Sequence, residues 1–317
     1  MDKVVCIITH HKGDLIRRCL DSLIGENIRV ITSDFTFKDP GHKAKIVSWV
    51  SRNEPAYKRN KATEFYDGKY IAFLDDDVEV DKNCIKNMAD YLDNHPDVGM
   101  VYALLYNMQD RKIVDTSGSW LSWTGFLIEK YDVPAVPREI LSAKSACCMV
   151  RTDLFNQAGK FDEDFVIYGE ETDLSWRIWN AGYSVVLLPS AIGYHAFGTA
   201  IKDESYYNKR YIHYNGCKNY LTMLIKNLPT SYFWIVFVNG FIWFTVSLCF
   251  LFTNRQVSKW ILEGIWYNIK NWKYIYNKRE NLNRNVNMRR IMITVGARYY
   301  FSRFWDYLIH QLHRKTK

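Results

Sequence analysis

One stretch constrains the fold of this chain more than any other: Lys-Tyr-Ile-Ala-Phe-Leu-Asp-Asp-Asp-Val-Glu-Val-Asp at 69–81. The apolar run Tyr70 to Leu74 has the length and content of a strand buried on both faces of a parallel sheet. It leads directly into three adjacent carboxylates, Asp75, Asp76 and Asp77. Like charges so close repel one another. A positive partner is therefore expected, most simply a divalent cation with oxygen ligands. In open α/β sheets, ligands bind beyond the carboxyl ends of the strands, which is where the triplet would sit. The plainer alternative is an acidic turn capping a helix that starts near Asp81, and caps are commoner than metal sites.

The flanking sequence fits such a sheet. Residues 4–8, 28–32 and 45–50 read as strands, separated by helical periodicity after Asp14 and from about 56 to 66. This β-α-β alternation predicts a mostly parallel sheet with right-handed crossovers, flanked by helices: an α/β fold. After the triplet, the pattern predicts a helix over 82–94 and a strand over 98–105. A hairpin or loop over 118–131, a strand over 146–151 and a short helix over 152–158 follow.

A second acidic cluster opens another helix. Glu170, Glu171 and Asp173 follow Gly169 and occupy the first turn, where the macrodipole favours anions. Leu174, Ile178 and Ala181 form the buried stripe, and Gly182 suits the C-terminal cap. One acid explains a cap; three point to a further role for one of them. Val185 to Pro189 reads as a strand with His195 after it, and a lone His there is more often structural unless an acidic site lies nearby.

Taken in order, the motifs are strand-Thr9, Asp34 after the second strand, Arg59-Asn60, Leu-Asp-Asp-Asp, Phe-Asp-Glu-x-Phe-x-x-Tyr-Gly-Glu-Glu-x-Asp-Leu, Ala-Gly-Tyr and a late His. This order resembles a family 2 glycosyltransferase with the GT-A (Rossmann-like) fold, and is similar to its rhamnosyltransferase-like, membrane-associated branch. The resemblance covers roughly residues 3–200. It implies transfer of a sugar from a nucleotide-diphosphate sugar, with inversion, to a hydroxyl of a lipid-linked or glycan acceptor.

By position, the resemblance places Thr9, His11 and Asp34 at the nucleotide and Arg59 and Asn60 at the ribose or diphosphate. Asp75 and Asp76 also fall on the nucleotide sugar. Asp75, Asp77 and His195 fall on the metal, Mg²⁺ or Mn²⁺. Glu171 falls on the general base, with Asp173 as the alternative. Two separate acidic motifs suit the chemistry: one holds a cation against the leaving diphosphate, and the other takes the acceptor proton. The chain departs from the family pattern at Asp34-Phe35-Thr36-Phe37, at Ser145-Ala146-Cys147, and in having Glu171 where Asp is common.

The 317 residues allow one large domain plus an appendage. Seven scattered cysteines without Cys-x-x-Cys spacing fit a reducing compartment, and the opening strand pattern predicts no secretory signal. The net charge of +8 is uneven: residues 254–317 hold 14 Lys+Arg against 3 Asp+Glu. A basic, Trp- and Tyr-rich tail points to an anionic surface. The uncharged stretch 231–253 before it is long enough to cross a bilayer, which favours a membrane over nucleic acid. The expected division is a catalytic domain at 1–228 and a membrane-associated helical region at 229–317, on the cytoplasmic face.

A straight crossing would put the tail opposite the catalytic domain, against the positive-inside tendency. A re-entrant or in-plane hairpin broken at Asn239-Gly240 avoids this conflict. A glycoside hydrolase with paired carboxylates, or a non-catalytic sugar- or nucleic-acid-binding protein, are the competing readings.

Overall fold

The computed structural model describes residues 3–9, 13–32, 37–39, 41–42, 44–50, 52, 54–64, 66–196, 210–280 and 286–296. The chain opens with β1 (Lys3–Thr9), α1 (Asp14–Asp21), β2 (Ile28–Thr32), β3 (Lys45–Trp49) and α2 (Pro55–Ala62). Then come β4 (Tyr70–Asp75), β5 (Val78–Val80), α3 (Cys84–Asn94), β6 (Val98–Asn107) and β7 (Val114–Thr116). Next are β8 (Ser119–Leu121), β9 (Leu127–Glu129), β10 (Arg138–Glu139), β11 (Cys147–Arg151), α4 (Thr152–Gln157), α5 (Glu170–Asn180) and β12 (Ser184–His195). The helices α6 (Arg210–Asn227), α7 (Trp234–Thr253), α8 (Arg255–Lys270), α9 (Trp272–Glu280) and α10 (Met288–Ile291) close the described chain.

The main sheet runs β10-β12-β6-β11-β4-β1-β2-β3, with β5 on β12 and β7 on β6. Strands β4, β1, β2 and β3 are mutually parallel, and β11 runs antiparallel between β4 and β6. Strand β4 lies between β1 and β11, so Tyr70 to Leu74 are buried on both faces. Their continuous apolar run follows from that position. The next three residues leave the sheet at its carboxyl edge.

Strand β12 corrects the sequence expectation that a strand ends at Pro189. It continues to His195, with a register shift between Leu188 and Ile192 that absorbs the proline. The second half pairs His195 with Val78 of β5 and Asn107 of β6. That pairing carries the histidine to the Asp triplet.

The expected break at Asn239-Gly240 does not occur. Helix α7 is unbroken over 20 residues. Asn239 is fully buried and donates to the Thr124 carbonyl at 3.0 Å, so its polar amide is a tether rather than a breaker. The chain reverses instead at Asn254, whose side chain accepts from the Val257 N–H and caps α8. Helix α8 then returns along α6 and α7, with Cys217, Leu221, Val246, Phe250, Val257 and Ile261 between them.

The described part of the basic tail folds back onto the α/β region and α6. Arg279 donates to the Ile225 and Leu228 carbonyls, Lys278 pairs with Asp162 and Asp164, and Arg290 pairs with Glu139. One core cluster holds Phe73 and Tyr102 of the sheet together with Ile235, Ile275 and Ile291, so it runs across the 228/229 division.

Gly264 marks the closest approach of α8 to α6. A Cβ there would lie 3.0 Å from the Tyr214 carbonyl oxygen and 3.1 Å from the Lys218 nitrogen, both backbone atoms. Gly264→Val should force the helices apart, costing about 1–3 kcal/mol. A lower midpoint of thermal unfolding would show it; an unchanged midpoint would contradict this packing.

Candidate active site

The structure gives each carboxylate of the triplet its own partner, each from a different element. Asp75 Oδ1 accepts from Arg59 Nη2 of α2 at 2.9 Å. Asp76 accepts from the hydroxyl of Thr9, at the carboxyl end of β1. Asp77 Oδ1 faces His195 Nε2 at 3.3 Å. The repulsion inherent in the sequence is thus relieved by one cation, one hydroxyl and one imidazole.

His195 is held from behind. Its Nδ1 lies 2.9 Å from Asp115 Oδ2 on β7, and the other oxygen of Asp115 accepts from Lys144 at 2.6 Å. Burial opposes the charged imidazole, but Asp115 and Asp77 outweigh it and raise its pKa to about 9. Asp115 and Lys144 were not legible in the sequence: a lone Asp in a three-residue strand and a loop lysine carry no spacing signal.

Asp75, Asp77 and His195 each offer a ligand atom, and these atoms lie within 4.8 Å of one another. Two carboxylate oxygens and an imidazole nitrogen form a donor set suited to Mg²⁺ or Mn²⁺. The residues present therefore fit the cation that the sequence predicted.

Arg59 connects the two acidic motifs. It is 4% exposed, and its Nη1 donates to Glu170 Oε1 of α5 at 3.0 Å while Nη2 holds Asp75. Its pKa is pushed further up: burial opposes the charge, but Asp75 and Glu170 more than compensate. Lys58, its fully buried neighbour, donates to the Thr9 carbonyl at 3.3 Å. Burial lowers the Lys58 pKa to about 8, with Asp76 and Glu54 pulling the other way. Asn60 is not brought to the triplet: it clamps the 161–163 loop through Phe161 and Glu163. His11 and Asp34 lie outside the described residues.

The three acids that open α5 have separate surroundings. Tyr168 and Gly169 both hold left-handed backbone, φ 69° and 86°, turning the chain into the helix. Glu170 points to Arg59. Asp173 is fully buried and bound to Arg177, Lys226 and Asn227; against the cost of burial, the charges of Lys226 and Arg177 hold its carboxyl below the usual range.

Only Glu171 of the three faces open space. It lines a cleft of about 370 Å³ with Leu127, Tyr168, Asn219, Tyr220 and Trp243 among its walls. Burial, then the adjacent Glu170 carboxylate, push the Glu171 pKa well above the ordinary carboxylate range. This cleft, walled mainly by α6, β9 and the start of α5 with Trp243 of α7, was also missed from the sequence, because no motif marks it.

Asp115→Asn should loosen the hold on His195 and weaken Mn²⁺ binding about 10- to 100-fold. Calorimetric titration of the full chain with Mn²⁺ checks this, and wild-type affinity in the variant would contradict it.

With the geometry in place, three comparisons bear on identity. The sequence model of the family described as Glycosyl transferase family 2 matches residues 4–159. A stretch of 203 residues, 55% of this chain, is 27% identical to the O-antigen biosynthesis protein RfbC of Myxococcus xanthus, of which it makes up only 16%. The S. aureus TarS 1-349 structure in complex with UDP-GlcNAc superposes with a TM-score of 0.57 at 16% identity, covering 89% of each chain. The mannosyltransferase PcManGT from Pyrobaculum calidifontis, in complex with GDP-Man and Mn²⁺, gives 0.51 at 13% identity, covering 88% of this chain and 84% of that one. The fold is similar to that of these glycosyltransferase structures, and residues 4–159 match the Glycosyl transferase family 2 model.

Proposed function

We propose that the protein transfers a sugar from a nucleotide-diphosphate sugar to an acceptor hydroxyl, with inversion and with Glu171 as the general base. The observation that carries this reading is the separation of roles around Arg59. On one side of its guanidinium lies the cation-ready group of Asp75, Asp77 and His195. On the other lies the α5 N-terminus, where Glu171 is the one of the three acids that lines the cleft.

A divalent cation held by Asp75, Asp77 and His195 would neutralise the charge that develops on the leaving diphosphate. Glu171 takes the proton of the acceptor O–H as that oxygen forms its bond to the anomeric carbon. The bond from this carbon to the diphosphate breaks, and the diphosphate leaves with the electron pair. The raised pKa of Glu171 suits the step, because a carboxylate that binds protons more tightly is a stronger base. Arg59 keeps Asp75 and Glu170 charge-balanced while Glu171 accepts its proton. The similar solved structures, one in complex with UDP-GlcNAc and another with GDP-Man and Mn²⁺, support a nucleotide sugar and a divalent cation as the co-substrate and cofactor.

Glu171→Gln should lower transfer by about 10²- to 10⁴-fold while leaving nucleotide-sugar binding in place. Asp173→Asn should act on stability instead, because it strips charge from a buried cluster with Arg177 and Lys226, costing about 3–5 kcal/mol. A screen for diphosphate release from nucleotide sugars, run alongside thermal unfolding, separates the two. Full transfer by Glu171→Gln would refute the base assignment. In wild type, activity should fall as pH drops through the raised Glu171 pKa, giving an acid limb above the ordinary carboxylate range.

The same proposal places the protein on the cytoplasmic face of a membrane. Helix α7 turns Phe237, Phe241, Phe244, Leu248 and Phe252 outward, and α8 exposes Arg255, Lys259, Leu262 and Trp266. Because α8 returns to the catalytic region, an in-plane hairpin fits this surface better than a crossing. Flotation with vesicles containing anionic lipid should carry wild type upward and leave Phe241→Ser/Phe244→Ser behind. Equal flotation of both proteins would rule this surface out as the membrane contact.

A further inference from the structure

Two residues that line the Glu171 cleft each carry a buried polar atom without a partner. Asn219, 2% exposed, gives both amide hydrogens to the Ile167 and Tyr168 carbonyls at 2.7 Å, yet its Oδ1 is buried with no donor. Trp243 Nε1 is likewise buried with no acceptor. Both residues line the cleft with Glu171. Buried polar groups are almost always satisfied, so orphans grouped in one cavity call for a ligand.

The pair is chemically complementary: Asn219 Oδ1 can only accept, and Trp243 Nε1 can only donate. A hydroxyl does both. The other walls fit a polyhydroxylated ring, because Tyr168, Tyr220 and Trp243 present aromatic surface to its C–H faces. The Tyr220 and Trp243 rings lie 6.4 Å apart and tilted by 53°, forming a corner rather than a flat stack.

Charge narrows the ligand further. Among the described lining residues there is no lysine or arginine, while Glu129 and Glu171 supply two carboxylates. His213 is the one ionisable nitrogen among those residues, so a phosphate or uronate at this position would be desolvated beside two carboxylates with no permanent cation to balance it.

We propose that this cleft is an acceptor subsite for an uncharged sugar unit, gripped by Asn219 Oδ1 and Trp243 Nε1 so that a free hydroxyl faces Glu171. The inference rests on Glu171 being the base of the proposed transfer, and it names the acceptor class for that site. It gives α6 and α7, beyond residues 4–159, a recognition role. Asn219 has a second duty, since its two donated hydrogen bonds hold the left-handed Tyr168–Gly169 turn that leads into α5.

Because Asn219→Leu would disturb that turn, the test uses Trp243→Phe, which keeps a ring and removes only the N–H. Saturation-transfer NMR on the full chain would use methyl glycosides of neutral hexoses, deoxyhexoses and N-acetylhexosamines as probes. Methyl glucuronide and a hexose phosphate serve as charged counterparts. At least one neutral glycoside should bind wild type, weaken about three- to ten-fold in Trp243→Phe, and outcompete the charged probes. No neutral binder, equal binding by both proteins, or preference for the charged probes would each overturn the proposal. The readout does not need turnover, so a failure of the transferase reading, seen as no diphosphate release from any nucleotide sugar, is distinguishable. With an active donor, Trp243→Phe should raise the acceptor KM more than it lowers kcat.

Discussion

The structure depends on balancing the charge of three carboxylates placed side by side at the end of a buried strand. Sequence forces them together, and low dielectric makes their repulsion costly. The relief is distributed: Arg59 comes from α2, Thr9 from β1, and His195 from the far end of β12. Each partner ties a separate part of the sheet to the triplet. The long β12, with its proline-absorbing bulge, follows from this need, because a strand ending at Pro189 would leave Asp77 without its imidazole.

The same guanidinium that quiets Asp75 also holds Glu170, and so fixes the spacing between the two acidic motifs. About a hundred residues of sequence separate them, yet a single side chain bridges them. The helix start then sorts its acids by environment. Glu170 is neutralised by Arg59, and Asp173 is locked by Lys226, Arg177 and Asn227, which leaves Glu171 half-buried against the cleft. Three chemically similar side chains acquire three roles through their neighbours alone.

The C-terminal helices are part of this arrangement rather than an addition to it. Lys226 of α6 reaches Asp173 and Asp162, Asn219 steadies the turn before α5, and Trp243 of α7 closes the cleft. The apolar helix α7, only about one-third buried, therefore has two different faces. One packs on the α/β region, and the other turns Phe237, Phe241, Phe244, Leu248 and Phe252 outward.

The sequence alone determined the strand leading to the triplet, the helix opened by Glu170, Glu171 and Asp173, and the α/β alternation, because each rests on local period and on charge within a few residues. It also brought Asp75, Asp77 and His195 together by resemblance. Tertiary structure decided what depends on partners distant in the chain: Asp115 and Lys144 behind His195, Arg59 between the motifs, and the cleft between α6, β9 and the start of α5. It also moved the expected chain reversal from Asn239 to Asn254. Asn239-Gly240 looked like a breaker because Asn-Gly is a turn-forming dipeptide, but the helix runs through it and a carbonyl 115 residues away accepts the Asn239 amide hydrogen bond.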